Sequence, residues 1–383
     1  MTHTLMLLAL ATDLFGPGAR PLSRQQLLER PDGTGNVIEY AFFPSRSGTG
    51  FTTIRTYTTR REAGQVRRQL LLERDVQVPP ENLRVARLPY VFGLGQNPPT
   101  PNRIAFVSGT NELSVRPFNP TTYAVGRAVL APANLQAWAL RPNSDEAWTL
   151  HSGAANQASI TNLRTETAAG QVLLRLANNA LPVGIQFTRD GRRAWILVRQ
   201  PESNSDRGLV VTVDCENRVV LSTVSLGVHL PTSAALSADE SRLLILGTVP
   251  GSTVPGSTLP QEPSLLAFST LANTFVSLAA GTTQLPQSVP AQLFLHPDGA
   301  RAYWLNTATS NIEEFNLGSR QVARRIAVPR NSIQLAMDLS ATGEIALVRD
   351  ASGTLSYLLE LGFGTVLDAT QIPQGPGFLL PRF

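Results

Sequence analysis

Along most of the chain, short apolar runs alternate with compact polar clusters. Ala194-Trp195-Ile196-Leu197-Val198, Leu243-Leu244-Ile245-Leu246 and Ala302-Tyr303-Trp304-Leu305 are the clearest runs. They are short, rich in aromatic and branched residues, and bounded by turn-forming residues, which predicts β-strands rather than helices. The clusters before them share a form: Arg141-Pro142-Asn143-Ser144-Asp145, Thr188-Arg189-Asp190-Gly191, Ser237-Ala238-Asp239-Glu240, His296-Pro297-Asp298-Gly299 and Ser340-Ala341-Thr342-Gly343. Pro, Asp, Asn and Gly suit tight turns between antiparallel strands.

One unit can be followed in full. Strands are expected over 291–295, 301–305, 312–317 and 321–328, with Gly318-Ser319-Arg320 turning the third into the fourth. An apolar residue followed by proline then closes the unit. That mark recurs at Val78-Pro79, Ala131-Pro132, Leu181-Pro182, Leu230-Pro231, Leu285-Pro286, Val328-Pro329 and Ile372-Pro373, at intervals averaging 49 residues. Proline lacks the N–H that a ladder needs, so it is expected where a strand ends. A four-stranded unit buries little alone, but a ring of them packs face to face around one core. The expected fold is therefore all-β, a β-propeller of seven four-stranded blades. The first blade is placed at 37–43, 51–57 and 65–73. The propeller spans 37–373, preceded by a segment over 1–36 and followed by a tail over 374–383. Ser23–Arg30 reads as a short helix, and ring-closing strands are sought in Leu5–Ala11 and in Gly377-Phe378-Leu379-Leu380.

The succession of strand, Pro-Asp-Gly turn, Ala-Tyr or Ala-Trp strand, polar loop, third strand and a fourth strand ending in Val-Pro resembles the seven-bladed YVTN-type propellers. These belong with WD40-like and quinoprotein amine dehydrogenase-like propellers. The match covers about residues 80–373 and is clearest over 131–230 and 286–350. Where the Tyr-Val-Thr-Asn strand should lie, this chain reads Ala302-Tyr303-Trp304-Leu305-Asn306. The resemblance implies a fold and a role in binding partners or substrates. It implies no particular chemistry.

Composition narrows the classes. Apolar residues make up 42% of the 383 and charged residues 16%, which suits a chain with a buried core. All 32 basic residues are arginine, a bias expected of GC-rich bacterial codons. The formal net charge of +4 arises within Arg55–Arg87, where Arg55, Arg60, Arg61, Arg67, Arg68, Arg74, Arg84 and Arg87 mix with four acids. Alternation would split these arginines between two sheet faces, and aromatic interleaving is sparse, so nucleic acid is not an expected partner. No run approaches the length of a membrane-spanning helix. Leu5–Ala11 resembles the end of a secretory signal, with an edge strand as the alternative. Periplasmic or extracellular placement is slightly favoured on that ground. A tandem Val-Pro-Gly-Ser-Thr at 249–258 reads as a surface-loop insertion.

Candidate chemistry is sparse. The single cysteine, Cys215, lies in an acidic turn that disfavours its thiolate. His3, His151, His229 and His296 occupy no metal-ligand spacing, so no metal is expected. No nucleophile elbow, phosphate loop, dinucleotide fingerprint or haem motif occurs, so no cofactor is expected. Asp298 reads as a turn carboxylate, being one copy of a repeated turn. Propeller ligands usually meet the loops between consecutive blades. Arg84, Asn134, Asn178, Asn179, His229, Gln287, Arg330 and Asn331 are the candidate binding residues there. Such amides and cations suit a polar small molecule, a glycan or a protein, bound without catalysis. The alternative is a hydrolase of the lactonase kind acting on a small ester or lactone, with His229, Arg84, Arg330 and Glu81 converging.

Overall fold

The computed structural model describes residues 36–44, 51–62, 65–77, 104–108, 114–118, most of 126–249, 262–280, most of 293–328, 335–339, most of 343–370 and 378–381. Every regular element among them is a strand. One sheet holds β1 (Asn36–Pro44), β2 (Phe51–Glu62) and β3 (Gln65–Gln77), and a second holds β4 (Ile104–Ser108), β5 (Ser114–Phe118) and β6 (Val129–Leu130). Four consecutive sheets follow with four strands each. They are β7 (Leu135–Leu140), β8 (Glu146–His151), β9 (Gln157–Asn162) and β10 (Thr167–Leu173); β11 (Leu181–Phe187), β12 (Arg193–Gln200), β13 (Arg207–Asp214) and β14 (Val219–Ser225); β15 (Leu230–Leu236), β16 (Arg242–Val249), β17 (Glu262–Ser269) and β18 (Thr274–Ala280); and β19 (Leu293–Leu295), β20 (Arg301–Asn306), β21 (Asn311–Asn316) and β22 (Gln321–Ala327). The last full sheet is β23 (Leu335–Leu339), β24 (Ile345–Asp350), β25 (Ser356–Glu360) and β26 (Thr365–Thr370). A final strand, β27 (Phe378–Pro381), pairs antiparallel with β1, so the two ends of the described chain share one sheet. Leu5–Ala11, Ser23–Arg30 and most of the Val-Pro-Gly-Ser-Thr repeat lie outside the described residues.

The uninterrupted apolar runs are explained by burial on both faces. On β12, Ala194, Ile196 and Val198 pack against Trp148, Leu150 and Ile160 of the preceding sheet. The alternate residues Trp195 and Leu197 pack against Leu243, Ile245 and Phe268 of the following one. The same interlock joins Leu244, Leu246 and Leu265 to Ala302, Trp304 and Phe315, and Tyr303, Leu305 and Ile312 to Met337, Ala346 and Leu359. Each fully buried side chain of this size contributes roughly 1.5–3 kcal/mol. Middle strands are sandwiched between sheets, while outer strands show alternation, as on β14, where exposed and half-buried residues alternate. Sheets stacked face to face in chain order make the fold an all-β propeller.

The Leu-Pro marks sit one strand later than the sequence reading placed them. Leu181-Pro182 and Leu230-Pro231 open the first strands β11 and β15, whereas the fourth strands end at Leu173 and Ser225. The first strand of each sheet is an edge strand, so proline is as acceptable at its start as at the end of the fourth. An extra residue follows these marks: the register shifts at Val183 and Thr232, and again at Gln136 on β7. The opposite edge is bulged too. Leu71, Ala169, Leu221, Leu278, Ala323 and Leu367 each interrupt the register of a fourth or outermost strand. A bulge bends its strand and sharpens its twist.

Candidate functional site

Each blade has two ends. One carries the turns joining strands one to two and three to four. The other carries the loops between blades and between strands two and three.

At the turn end the carboxylates of the strand-one-to-two turns are consumed locally. Asp190 Oδ1 accepts hydrogen bonds from Thr188 Oγ1 (2.5 Å) and the Arg192 amide (2.9 Å). Asp239 Oδ1 accepts from Ser237 Oγ and the Ser241 amide in the equivalent slot. Asp298 Oδ1 accepts from the Ala300 amide at 2.9 Å, and Arg301 Nε donates to its Oδ2 at 2.6 Å. His296 Nδ1 accepts from the Asp298 amide. Burial opposes the charge on Asp298, but the Ala300 amide and Arg301 outweigh it and hold the carboxyl below its usual range. Burial and Arg301 together lower the His296 imidazole. His296 and Asp298 therefore build a turn. Gly191 has φ +71°, and a Cβ there would lie 2.2 Å from the Pro142 carbonyl oxygen of the neighbouring blade. Asn143 Nδ2 donates to the Arg189 carbonyl, and the Arg189 amide donates to Glu240 Oε1, so successive turns are stitched together.

The turns between strands three and four repeat a second device. Asn162, Asp214 and Asn316 each accept two backbone amides of the turn that follows, which then passes through a left-handed residue, Glu166, Arg218 or Arg320. Cys215 lies in one of these turns, fully buried, and burial first and acidic neighbours second push its thiol up to about 12. It is a packing residue. Two buried glutamates in β21 are also fully engaged. Glu313 accepts from Trp304 Nε1, Asn306 Nδ2 and Arg325 Nε, and Glu314 accepts from Tyr303 Oη and Arg324 Nη2.

The loop end differs. Of the candidate residues, Asn178 and Asn179 lie in the β10–β11 connection and are exposed, with Asn179 Nδ2 donating to the Pro201 carbonyl at 2.8 Å. His229 lies in the short β14–β15 connection but is buried, at 3% exposure. Arg84, Asn134, Gln287, Arg330 and Asn331 lie outside the described residues, as does Glu81. The structure therefore brings no lactonase-like set together among the residues it describes.

Around His229 the fold is tightly cut. Its carbonyl oxygen would be 1.9 Å from a Cβ on Gly208 of β13. Its ring lies over Gly247 of β16, where a Cβ would be 2.7 Å from Nε2 and 2.2 Å from the Leu230 carbonyl oxygen. Two strand glycines thus make room for one residue. Nδ1 is hydrogen-bonded to the buried hydroxyl of Ser264 on β17, and Nε2 has no partner. Burial, aided by the charge of Arg199, pushes the imidazole down to about 4, so the ring is neutral at physiological pH. Arg199, on β12 of the preceding blade, donates Nε to the Pro231 carbonyl at 2.7 Å. Burial lowers its own pKa, and Asp206 only partly offsets this. Arg199, Ser264, Gly208 and Gly247 were absent from the sequence-based candidates. A lone glycine inside the apolar run Leu243–Val249 was the signal that something approaches closely there. His151 is buried at the same end of its own blade, its Nε2 2.9 Å from Thr149 Oγ1. Among the described residues, no three His, Cys, Asp or Glu side chains converge to hold a metal, and no helix is long and apolar enough to cross a membrane.

No protein-family model and no curated protein matches the chain by sequence. Solved structures match it by fold. One is a Kuenenia stuttgartiensis hydrazine synthase, at 10% identity and a TM-score of 0.59, covering 85% of this chain and 95% of that one. Another is the β-propeller domain of Myceliophteria thermophila Cps50 (Swd1), at 15% identity and a TM-score of 0.53, covering 77% and 90%. At such identities the likeness is one of architecture alone. Together with the stacked four-stranded sheets, it makes this chain a β-propeller.

Proposed function

We propose that this protein is a non-catalytic propeller of seven YVTN-type blades that binds a polar small molecule, glycan or protein partner at its blade-to-blade loop face. Six four-stranded sheets and one of three strands support the blade number. The observation that carries the binding reading is the contrast in hydrogen bonding between the turn carboxylates and His229. The turn-end carboxylates Asp190, Asp239 and Asp298 are engaged within their own turns, whereas the loop end holds a buried imidazole with an unbonded ring nitrogen. A buried polar atom without a partner is costly, and functional sites are a recognised place for such a cost. Asn178 and Asn179 add exposed amides on the same face.

The test is a thermal-shift screen of the purified protein against oligosaccharides, lactones, peptides and small anions at low and high salt. A ligand specific for the folded state adds about 2.7 kcal/mol at a hundredfold excess over its Kd, which is read as a raised midpoint. A salt-resistant rise with one class supports the reading. No rise with any class, together with no partner in pull-downs, overturns it.

A further inference from the structure

Among the described residues, Arg199 is the one group at the His229 junction whose charge is left without an ion pair. Its guanidinium is partly buried, so part of its hydration has been removed. Among the described residues its one hydrogen bond is from Nε to the Pro231 carbonyl, which ties the group across the junction between the β11–β14 and β15–β18 blades. Asp206 lies near enough to be felt but forms no ion pair with it. The neighbouring arginine contrasts: Arg207 is paired with Glu202 at 2.9 Å in the same loop. With Nε committed, both Nη groups remain as donors. Two parallel N–H groups on a planar cation match the two oxygens of a carboxylate. Behind Arg199 sits the neutral His229, which adds no competing charge.

We propose that the Nη groups of Arg199 bind a carboxylate of a small-molecule ligand at the solvent-facing edge of this blade junction, with His229 as the buried neighbour that senses its arrival. The proposal rests on the loop-face binding reading and names the chemical class that the face takes. The anion would screen the positive charge of Arg199, one of the two causes that keep His229 hard to protonate. Occupancy should therefore move the imidazole back toward its ordinary range. A merely structural Arg199 would not produce that coupling.

The experiment titrates the full chain with succinate against sodium chloride of matched ionic strength. It follows the thermal midpoint and the ring-nitrogen NMR signals of His229 as a function of pH. The expected result is a raised midpoint with succinate only and an upward shift of the His229 titration. In R199Q both responses should be lost, with affinity weakened by about tenfold or more. R207Q, which removes the paired arginine of the same loop, should keep both. An unmoved His229 in wild-type protein saturated with succinate overturns the proposal, even if R199Q does not fold. Binding of inorganic phosphate but not succinate overturns the carboxylate assignment. A sugar or lactone that raises the midpoint equally in wild type and R199Q leaves the loop-face reading standing and removes this subsite.

Discussion

The two ends of the blades are built from the same strands and are both polar, yet they handle polarity in opposite ways. At the turn end, Asp190, Asp239 and Asp298 each accept hydrogen bonds from their own turn, and Asn143 and Glu240 spend theirs on the next blade. That polarity serves the fold. At the loop end, among the described residues, Arg199 and His229 reach the junction between blades with donors or acceptors unspent, and two glycines make room for His229. In the reading proposed here, His229 is singled out by the bond it leaves open rather than by its chemistry. His296 beside Asp298 looks more like an active site than His229 does, yet its bonds serve its own turn.

The comparison can be broken most strongly at Gly208. Gly208→Ala puts a methyl group where the His229 carbonyl oxygen already stands, and both neighbours are backbone or proline. The expected loss is about 3 kcal/mol in urea unfolding. At the turn end, Gly299→Ala meets no atom within 4 Å and carries only the strain of φ +69°, so a smaller loss of about 1 kcal/mol is expected. Equal losses would erase the distinction in packing between these two positions.

The next effect is in acid. His229 has a folded pKa of about 4, below its unfolded value, so the unfolded chain binds more protons between the two. Stability is then unaffected above about pH 6.5 and falls as the pH drops toward about 4, by on the order of 2 kcal/mol from this group. In His229→Asn that part of the slope should vanish, leaving the weaker contribution of His296, which runs in the same direction. A pH profile of the unfolding free energy identical in both proteins would mean that His229 is not held neutral by its site. The smallest effect belongs to a turn carboxylate. Asp190→Ala removes the acceptor for Thr188 and the Arg192 amide and should cost about 1 kcal/mol, while any ligand-induced rise in midpoint stays unchanged. A ligand response lost in this variant would place the binding surface at the wrong end.

Much of the architecture was legible because it repeats. The strands over 293–327 fall within two residues of their expected bounds, because turn residues bracket doubly buried apolar runs. Asp298 was readable as a turn acid for the same reason: Asp190 and Asp239 stand in the same slot. The Leu-Pro marks were seen but assigned to the wrong strand, since proline satisfies either edge of a sheet and periodicity cannot say which. The junction around His229 was legible only at the histidine itself. The histidine was visible, but Arg199, Gly208 and Ser264 come from three other strands, and each is unremarkable in its own sequence neighbourhood. Only folding brings them together. The bulges left no signal, because an extra residue in a run such as Val219–Ser225 merely shifts the alternation by one.

Those bulges bear on how the molecule behaves in a crowd. Each outermost strand offers a row of unpaired amides and carbonyls to the solvent, and β14 and β18 also show apolar side chains there, including Val219, Leu221, Phe275 and Val276. Flat edges of that kind invite copies of the same chain to pair strand to strand and grow into fibres. One supernumerary residue in each rim strand, Leu221 in β14 and Leu278 in β18, bends the edge away from that pairing. The bulged rim thus works by misfit against strand-to-strand pairing between copies of the chain.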